Sequence, residues 1–200
     1  MSIIEDKKNK NIKTLVKELS NISEVFFSKK IFFDLEFTGL NQNADIISAG
    51  FVSENNEELY IEFNDYDINK CDNWVREYVI ARLIEKKKYN RKEALQKILS
   101  YFKTVRKLGE QILLISDCLS YDWMLLNELW GGALKIPIYL YYIPVDLSTM
   151  FYMKGIDPDI DREAFAEMKD KHQKHNSLWD AKVIKICFEK LMKGEDNDLL

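Results

Sequence analysis

Two acidic side chains, Asp34 and Glu36, stand one residue apart in the run Ile31-Phe32-Phe33-Asp34-Leu35-Glu36-Phe37-Thr38-Gly39-Leu40. Isoleucine and phenylalanine favour a strand, and Thr38-Gly39 ends it. Alternation along a strand puts Asp34 and Glu36 on one face and Ile31, Phe33, Leu35 and Phe37 on the other. Adjacent carboxylates repel each other unless water or cations neutralise them. One reading is a half-buried strand whose polar face meets water. The other is a hard oxygen-donor site of the kind that suits Mg²⁺ or Mn²⁺. The second reading requires more carboxylates from elsewhere in the chain.

Two stretches offer them. In Ser116-Asp117-Cys118-Leu119-Ser120-Tyr121-Asp122-Trp123 a buried strand gives way to a helix, the place where open α/β sheets put their sites. Asp117 could equally be a turn or capping residue, and Asp122 an ordinary acid of a first helical turn. In Lys174-His175-Asn176-Ser177-Leu178-Trp179-Asp180-Ala181, Ser177 as N-cap would make Asp180 the third residue of a capping box. His175 then falls in the entry loop. A loop histidine is often only solvated, but beside a metal-bound water it suits a general base, because its ordinary pKa of about 6.5 lies near working pH. His172, the other histidine, shares that loop. Lys169, Lys171, Lys174, Lys182 and Lys185 cluster around it, either as a solvated face or as phosphate contacts.

The elements that must position these groups follow from periodicity. Ile12, Leu15, Val16, Leu19, Ile22 and Phe26 predict a helix over 11–27, ahead of the Asp34 strand. Ile46–Val52 and Glu58–Phe63 read as strands joined by a turn at Glu54-Asn55-Asn56. Helices are expected over Asn73–Lys88 and Arg91–Leu108, the second closed by Gly109. Gln111–Ser116 reads as a buried strand, Tyr121–Trp130 as a helix ending at Gly131-Gly132, and Ile138–Val145 as a strand. Asp146 then caps a short helix over Leu147–Met153. A helical piece near Arg162–Met168 and a final helix over Ser177–Lys193 complete the chain. This order predicts one α/β sheet with helices on both faces.

The bulk properties set limits. The chain has 200 residues, 46% hydrophobic and 31% charged, which suits one soluble globular domain. A net charge of −4 does not advertise a binder of long nucleic acid, although a basic patch can hide under an acidic average. Cys71, Cys118 and Cys187 are isolated, so neither a zinc site nor a disulfide framework is expected. The start lacks the apolar core of a signal peptide, and the longest apolar run, Ile136–Val145, is too short to span a membrane. A cytoplasmic location without membrane contact is the expectation.

Taken together, the chemistry-bearing residues resemble the DEDDh exonucleases of the ribonuclease H-like superfamily. Asp34-Leu35-Glu36-Phe37-Thr38-Gly39-Leu40 matches the first motif, Tyr121-Asp122 the second, and His175 to Asp180-Ala181 the third, in order and on the right elements. The tyrosine-type relatives would carry Tyr at 176, where this chain has Asn. Trp74 to Val79, Tyr121-Asp122-Trp123 and His175-Asn176 are most similar to the small bacterial 3′–5′ exoribonucleases. One departure is Asp117-Cys118, where many members have His-Asn.

The resemblance implies a ribonuclease H-like fold, a central mixed five-stranded sheet flanked by helices, over 31–193. A helical extension would precede it over 1–30 and a flexible tail follow over 194–200. It chooses Asp122 over Asp117. It implies two ions, Mg²⁺ or Mn²⁺, with Asp34, Glu36 and Asp180 around one and Asp34 and Asp122 around the other. His175 would be the general base, and Phe37, Thr38, Gly39 and Leu40 would line the pocket of the terminal nucleotide. The implied partner is an RNA or DNA 3′ end, cut to nucleoside 5′-monophosphates, and a homodimer stays open. Two other readings remain: a DNA proofreading exonuclease, and an inactive module that binds nucleic acid or protein.

Overall fold

The computed structural model describes residues 28–168 and 173–193. The expected helix over 11–27, His172 and the tail over 194–200 lie outside the described residues. Five strands form one mixed sheet: β1 (Lys29–Phe37), β2 (Ile46–Ser53), β3 (Glu58–Glu62), β4 (Ile112–Ser116) and β5 (Val145–Asp146). Their order is β3-β2-β1-β4-β5. The first three strands form an antiparallel meander, and β4 and β5 add in parallel. This is the expected ribonuclease H-like architecture.

Alternation along β1 divides the core. Ile31, Phe33 and Leu35 pack with Ile98, Phe102 and Leu125 from two helices, α2 (Arg91–Val105) and α3 (Ser120–Leu129), on one face. Phe32 packs on the other face with Phe151 of α4 (Leu147–Met153) and Val183, Ile184 and Phe188 of α6 (Ser177–Lys193). Asp34 and Glu36 continue the Phe32 row, so both carboxylates point to the α6 side.

The register explains how α6 comes close enough to matter. Asp34 lies opposite Gly50 on β2, and Glu36 opposite Ser48. A Cβ at Gly50 would stand 2.2 Å from the Ser177 carbonyl oxygen and 2.3 Å from the Leu178 nitrogen. The missing side chain lets the first turn of α6 rest directly on the sheet, and the Ser48 and Ser177 hydroxyls meet at 3.0 Å. Gly50→Ala is therefore expected to force that turn outward. Overpacking of this kind costs about 1–3 kcal/mol. A thermal melt should show a lower Tm, and an unchanged Tm would mean that α6 is not seated on Gly50.

Three expected elements differ. The helix expected over Asn73–Lys88 is a short α1 (Asn73–Tyr78) and a 3-10 turn at Ile80–Arg82. Beyond it, the buried Glu62 carboxylate accepts the Ile84 and Glu85 N–H groups at 2.6 and 2.9 Å, taking donors that a helix would need. Helix α2 stops at Val105, and Gly109 (φ +85°) sits in the following turn, not at the helix end. The strand expected over Ile138–Val145 shrinks to Val145–Asp146. Pro137 and Pro144 lack donors, and Ile112↔Leu140 is an isolated bridge. The remaining helix, α5 (Arg162–Phe165), is one turn long. Among the described residues no helix is long and apolar enough to cross a membrane.

Candidate active site

Four acids and a histidine gather at one end of the sheet. β4 leaves β1 after the Phe32↔Ile115 pair, so further along that edge β1 has no strand beside it. Asp122, in the first turn of α3 and 6% exposed, fills the gap: its Oδ1 accepts the Leu35 N–H at 2.8 Å. That bond fixes Asp122 beside the strand between Asp34 and Glu36. Asp117 is committed elsewhere. The Arg162 guanidinium donates to both of its oxygens, at 2.8 and 3.1 Å, and the Ser148 hydroxyl donates to it at 2.7 Å.

Asp180 comes from the first turn of α6. Asn176, not Ser177, caps this helix: its Oδ1 accepts the Trp179 N–H at 3.1 Å. Asp180 Oδ2 accepts the His175 backbone N–H at 2.8 Å, so the acid and the histidine loop are held together. His175 adopts φ +67°, a left-handed conformation that turns the chain sharply into the helix. Its ring stands edge-on to Trp74, with centroids 4.8 Å apart. Ligand atoms of Glu36, His175 and Asp180 all lie within 4.8 Å of one another.

The electrostatics match a cation site. Burial, then Asp122, Asp180, Glu36 and Asp117, raise the Asp34 carboxyl well above the usual carboxylate range. Burial, Asp180 and Asp122 do the same to Glu36, against an opposing pull from Arg82. Burial lifts Asp122 to about 7, although the Leu35 N–H opposes it. Burial also lifts Asp180 to about 7, against the His175 N–H. His175 moves the other way: burial, Lys174 and Arg82 lower its pKa, and Glu163 opposes them. Mutually repelling, desolvated carboxylates are what a divalent cation relieves, and their oxygens are the donors that Mg²⁺ and Mn²⁺ prefer. The donor set therefore fits such an ion.

Two cavities meet at Glu36. One, of about 380 Å³, is walled by Asp34, Glu36, Lys174, His175 and Asp180 on one side and by 158–163 on the other. The second, of about 440 Å³, is lined by Glu36, Phe37, Gly39, Leu40, Trp74 and Val79. Thr38, expected among these lining residues, is turned inward instead. It is 2% exposed, and its hydroxyl accepts the Asp45 N–H at 2.9 Å, which shapes the loop. Arg162 and Glu163, on the wall of the first cavity, escaped sequence reading as site residues, because their partners Asp117 and Trp179 sit on other elements.

The fold is one that solved nucleases share. Solved structures with the same fold include a 3′-exonuclease recognising the histone mRNA stem-loop (TM-score 0.60, 14% identity, 94% of this chain and 74% of that chain). They also include Pop2p of S. pombe with Mg²⁺ and Mn²⁺ bound (TM-score 0.57, 14%, 90% and 89%). A third is the nuclease domain of 3′hExo, a DEDDh family member bound to rAMP (TM-score 0.53, 15%, 84% and 94%). More particularly, residues 29–192 match the Rv2179c-like 3′-5′ exoribonuclease domain, and the chain belongs to that family. The 3′-5′ exoribonuclease Rv2179c of Mycobacterium tuberculosis (strain ATCC 25618 / H37Rv) is 28% identical over 109 residues, 54% of this chain. That match spans 65% of the relative's length.

Proposed function

We propose that this chain is a metal-dependent 3′–5′ exoribonuclease that shortens RNA from a free single-stranded 3′ end and releases nucleoside 5′-monophosphates. The observation that carries the reading is the convergence of Asp34, Glu36, Asp122, Asp180 and His175 at one end of the sheet, with Asp122 fixed to the Leu35 N–H and Asp180 to the His175 N–H. The four carboxylates would hold two ions, Mg²⁺ or Mn²⁺. When bound, such ions neutralise the scissile phosphate and acidify a coordinated water.

The chain's own groups do the rest. Asp180 and Asp122 hold their carboxylates still through backbone donors, so little reorganisation is needed at reaction. His175 takes the proton of the attacking water. Its lowered pKa keeps the ring neutral and able to accept that proton near neutral pH. The water oxygen forms the new bond to phosphorus, the bond to the ribose 3′ oxygen breaks, and that oxygen takes up a proton from solvent water as it leaves. Phe37, Gly39 and Leu40 offer an apolar wall to the terminal nucleoside in the cavity that opens at Glu36. Glu36 belongs to both cavities, which supports a terminal nucleoside seated next to the acids.

The curated relative, named an exoribonuclease, supports RNA over DNA. Matched RNA and DNA oligonucleotides with 3′ overhangs, labelled at either end, test this directly. The expected result in Mn²⁺ is stepwise loss from the 3′ end of RNA, slower loss from DNA, and none in EDTA. DNA degraded as fast as RNA would overturn the polymer assignment. No turnover of either would return the chain to the class of binding modules.

A further inference from the structure

The cavity that holds the acids has a far wall, and that wall is tied to the acids by side chains outside the mechanism above. Arg162 is the centre of the tie. Besides its two bonds to Asp117, Nη2 donates to the Ser148 hydroxyl at 3.1 Å and to the Pro158 carbonyl at 2.6 Å. Nη1 donates to the Ile160 carbonyl at 2.6 Å, and the guanidinium lies 4.4 Å from the Phe151 ring centroid. The segment 158–162 is thereby fastened to the end of β4 and to α4. A planar guanidinium with this many partners is a rigid anchor.

Glu163 follows at once. It is 5% exposed, and its Oε1 accepts the Trp179 Nε1–H at 3.0 Å. A carboxylate so buried is costly unless it is hydrogen-bonded, so the bond is a strong restraint. Trp179 is the residue before Asp180. The first turn of α6 is thus held from both sides, by Ser48 and Gly50 of β2 on the sheet side and by Glu163 on the cavity wall.

We propose that the Asp117–Arg162 ion pair and the Glu163–Trp179 hydrogen bond form a brace that sets where Asp180 and His175 stand, which makes Glu163 and Trp179 positioning residues of the site. Asp117, at the position of the Asp117-Cys118 departure, is the acid that Arg162 pairs with. The kinetic part of the proposal rests on the exoribonuclease reading; the metal-binding part rests on the geometry alone.

The test compares Glu163→Ala, Glu163→Gln and Trp179→Phe in the full chain. Two readouts are used: Mn²⁺ affinity by calorimetry without substrate, and steady-state kinetics on labelled RNA referred to the folded fraction. Removing such outer partners typically costs about 10–100-fold in metal affinity or activity. Glu163→Ala and Trp179→Phe should weaken Mn²⁺ binding and lower kcat by that order, with KM for RNA little changed. Glu163→Gln keeps an acceptor for the indole and should stay close to wild type in both. Trp179→Phe keeps an aromatic ring while removing the donor along with part of the indole, and read beside Glu163→Gln it decides the matter if Glu163→Ala fails to fold. Wild-type Mn²⁺ affinity and kcat in Trp179→Phe would overturn the brace, as would a Glu163→Gln variant as impaired as Glu163→Ala. A wild-type protein that binds Mn²⁺ but cleaves no polymer would defeat the exoribonuclease reading instead, and the brace would still be judged on affinity.

Discussion

Asp34→Asn is expected to abolish turnover while leaving the metal-free protein at least as stable as the wild type. Asp34 sits on the central strand with its carboxyl raised by burial and by Asp122, Asp180, Glu36 and Asp117 together. Its charge is therefore unfavourable in the folded state without a cation, and asparagine removes it at nearly constant volume. The sign with pH follows from linkage. An acid whose pKa is higher folded than unfolded binds more protons in the folded state between the two values, so stability falls as pH rises through that window. For Asp122 and Asp180 the window runs from the usual carboxylate value of about 4 up to about 7. In EDTA the wild-type Tm should therefore drop between pH 5 and pH 8, and Mn²⁺ should restore it. Asp34→Asn should flatten that drop. Differential scanning calorimetry over this range, paired with RNA turnover, provides the check. Wild-type turnover in the variant, or a large loss of Tm in EDTA, would remove Asp34 from the centre of the site.

Local pattern made much of this site readable. A period of two put Asp34 and Glu36 together opposite Phe33 and Leu35, and the structure has them on the α6 side of β1. The bounds of the last helix, Ser177–Lys193, were equally legible because an apolar stripe runs its whole length. What could not be read depends on partners distant in the chain. Asp122 and Asp117 were equivalent by local criteria. They are separated by a bond from Leu35, 87 residues from Asp122, and by an arginine 45 residues from Asp117. The false extension of α1 has the same origin, since Glu62, more than 20 residues earlier, captures the Ile84 and Glu85 N–H groups. Thr38 looked like part of a lining loop, but its hydroxyl is recruited by Asp45. Arg162 and Glu163 gave no signal as site residues, because their partners, Asp117 and Trp179, lie 45 and 16 residues away.

His175→Ala is expected to lose most of kcat while still binding Mn²⁺ with little change. His175 has two available roles, because its ring nitrogen lies within 4.8 Å of ligand atoms of both Glu36 and Asp180. As a ligand it would contribute to affinity; as a base it contributes to the reaction step. The proposed role is that of the base. Burial, then Lys174 and Arg82, lower its pKa, which favours the neutral imidazole, and the four carboxylates already supply the oxygen donors that Mg²⁺ and Mn²⁺ prefer over nitrogen. A positioned acid–base group is worth about 10²–10⁴-fold. The variant should lose roughly that factor in kcat. Wild-type kcat should rise with pH as His175 loses its proton, with the limb below the ordinary histidine value, and the variant should lack that limb. The Asp180 carboxylate bonds the backbone N–H of residue 175, so alanine leaves that contact in place. His172, in the same stretch but outside the described residues, provides the control: His172→Ala should cost far less, and mainly in KM. A His175→Ala variant that binds Mn²⁺ poorly and recovers its rate at high Mn²⁺ would make His175 a ligand. A crippled His172→Ala beside a near-normal His175→Ala would move the base to His172.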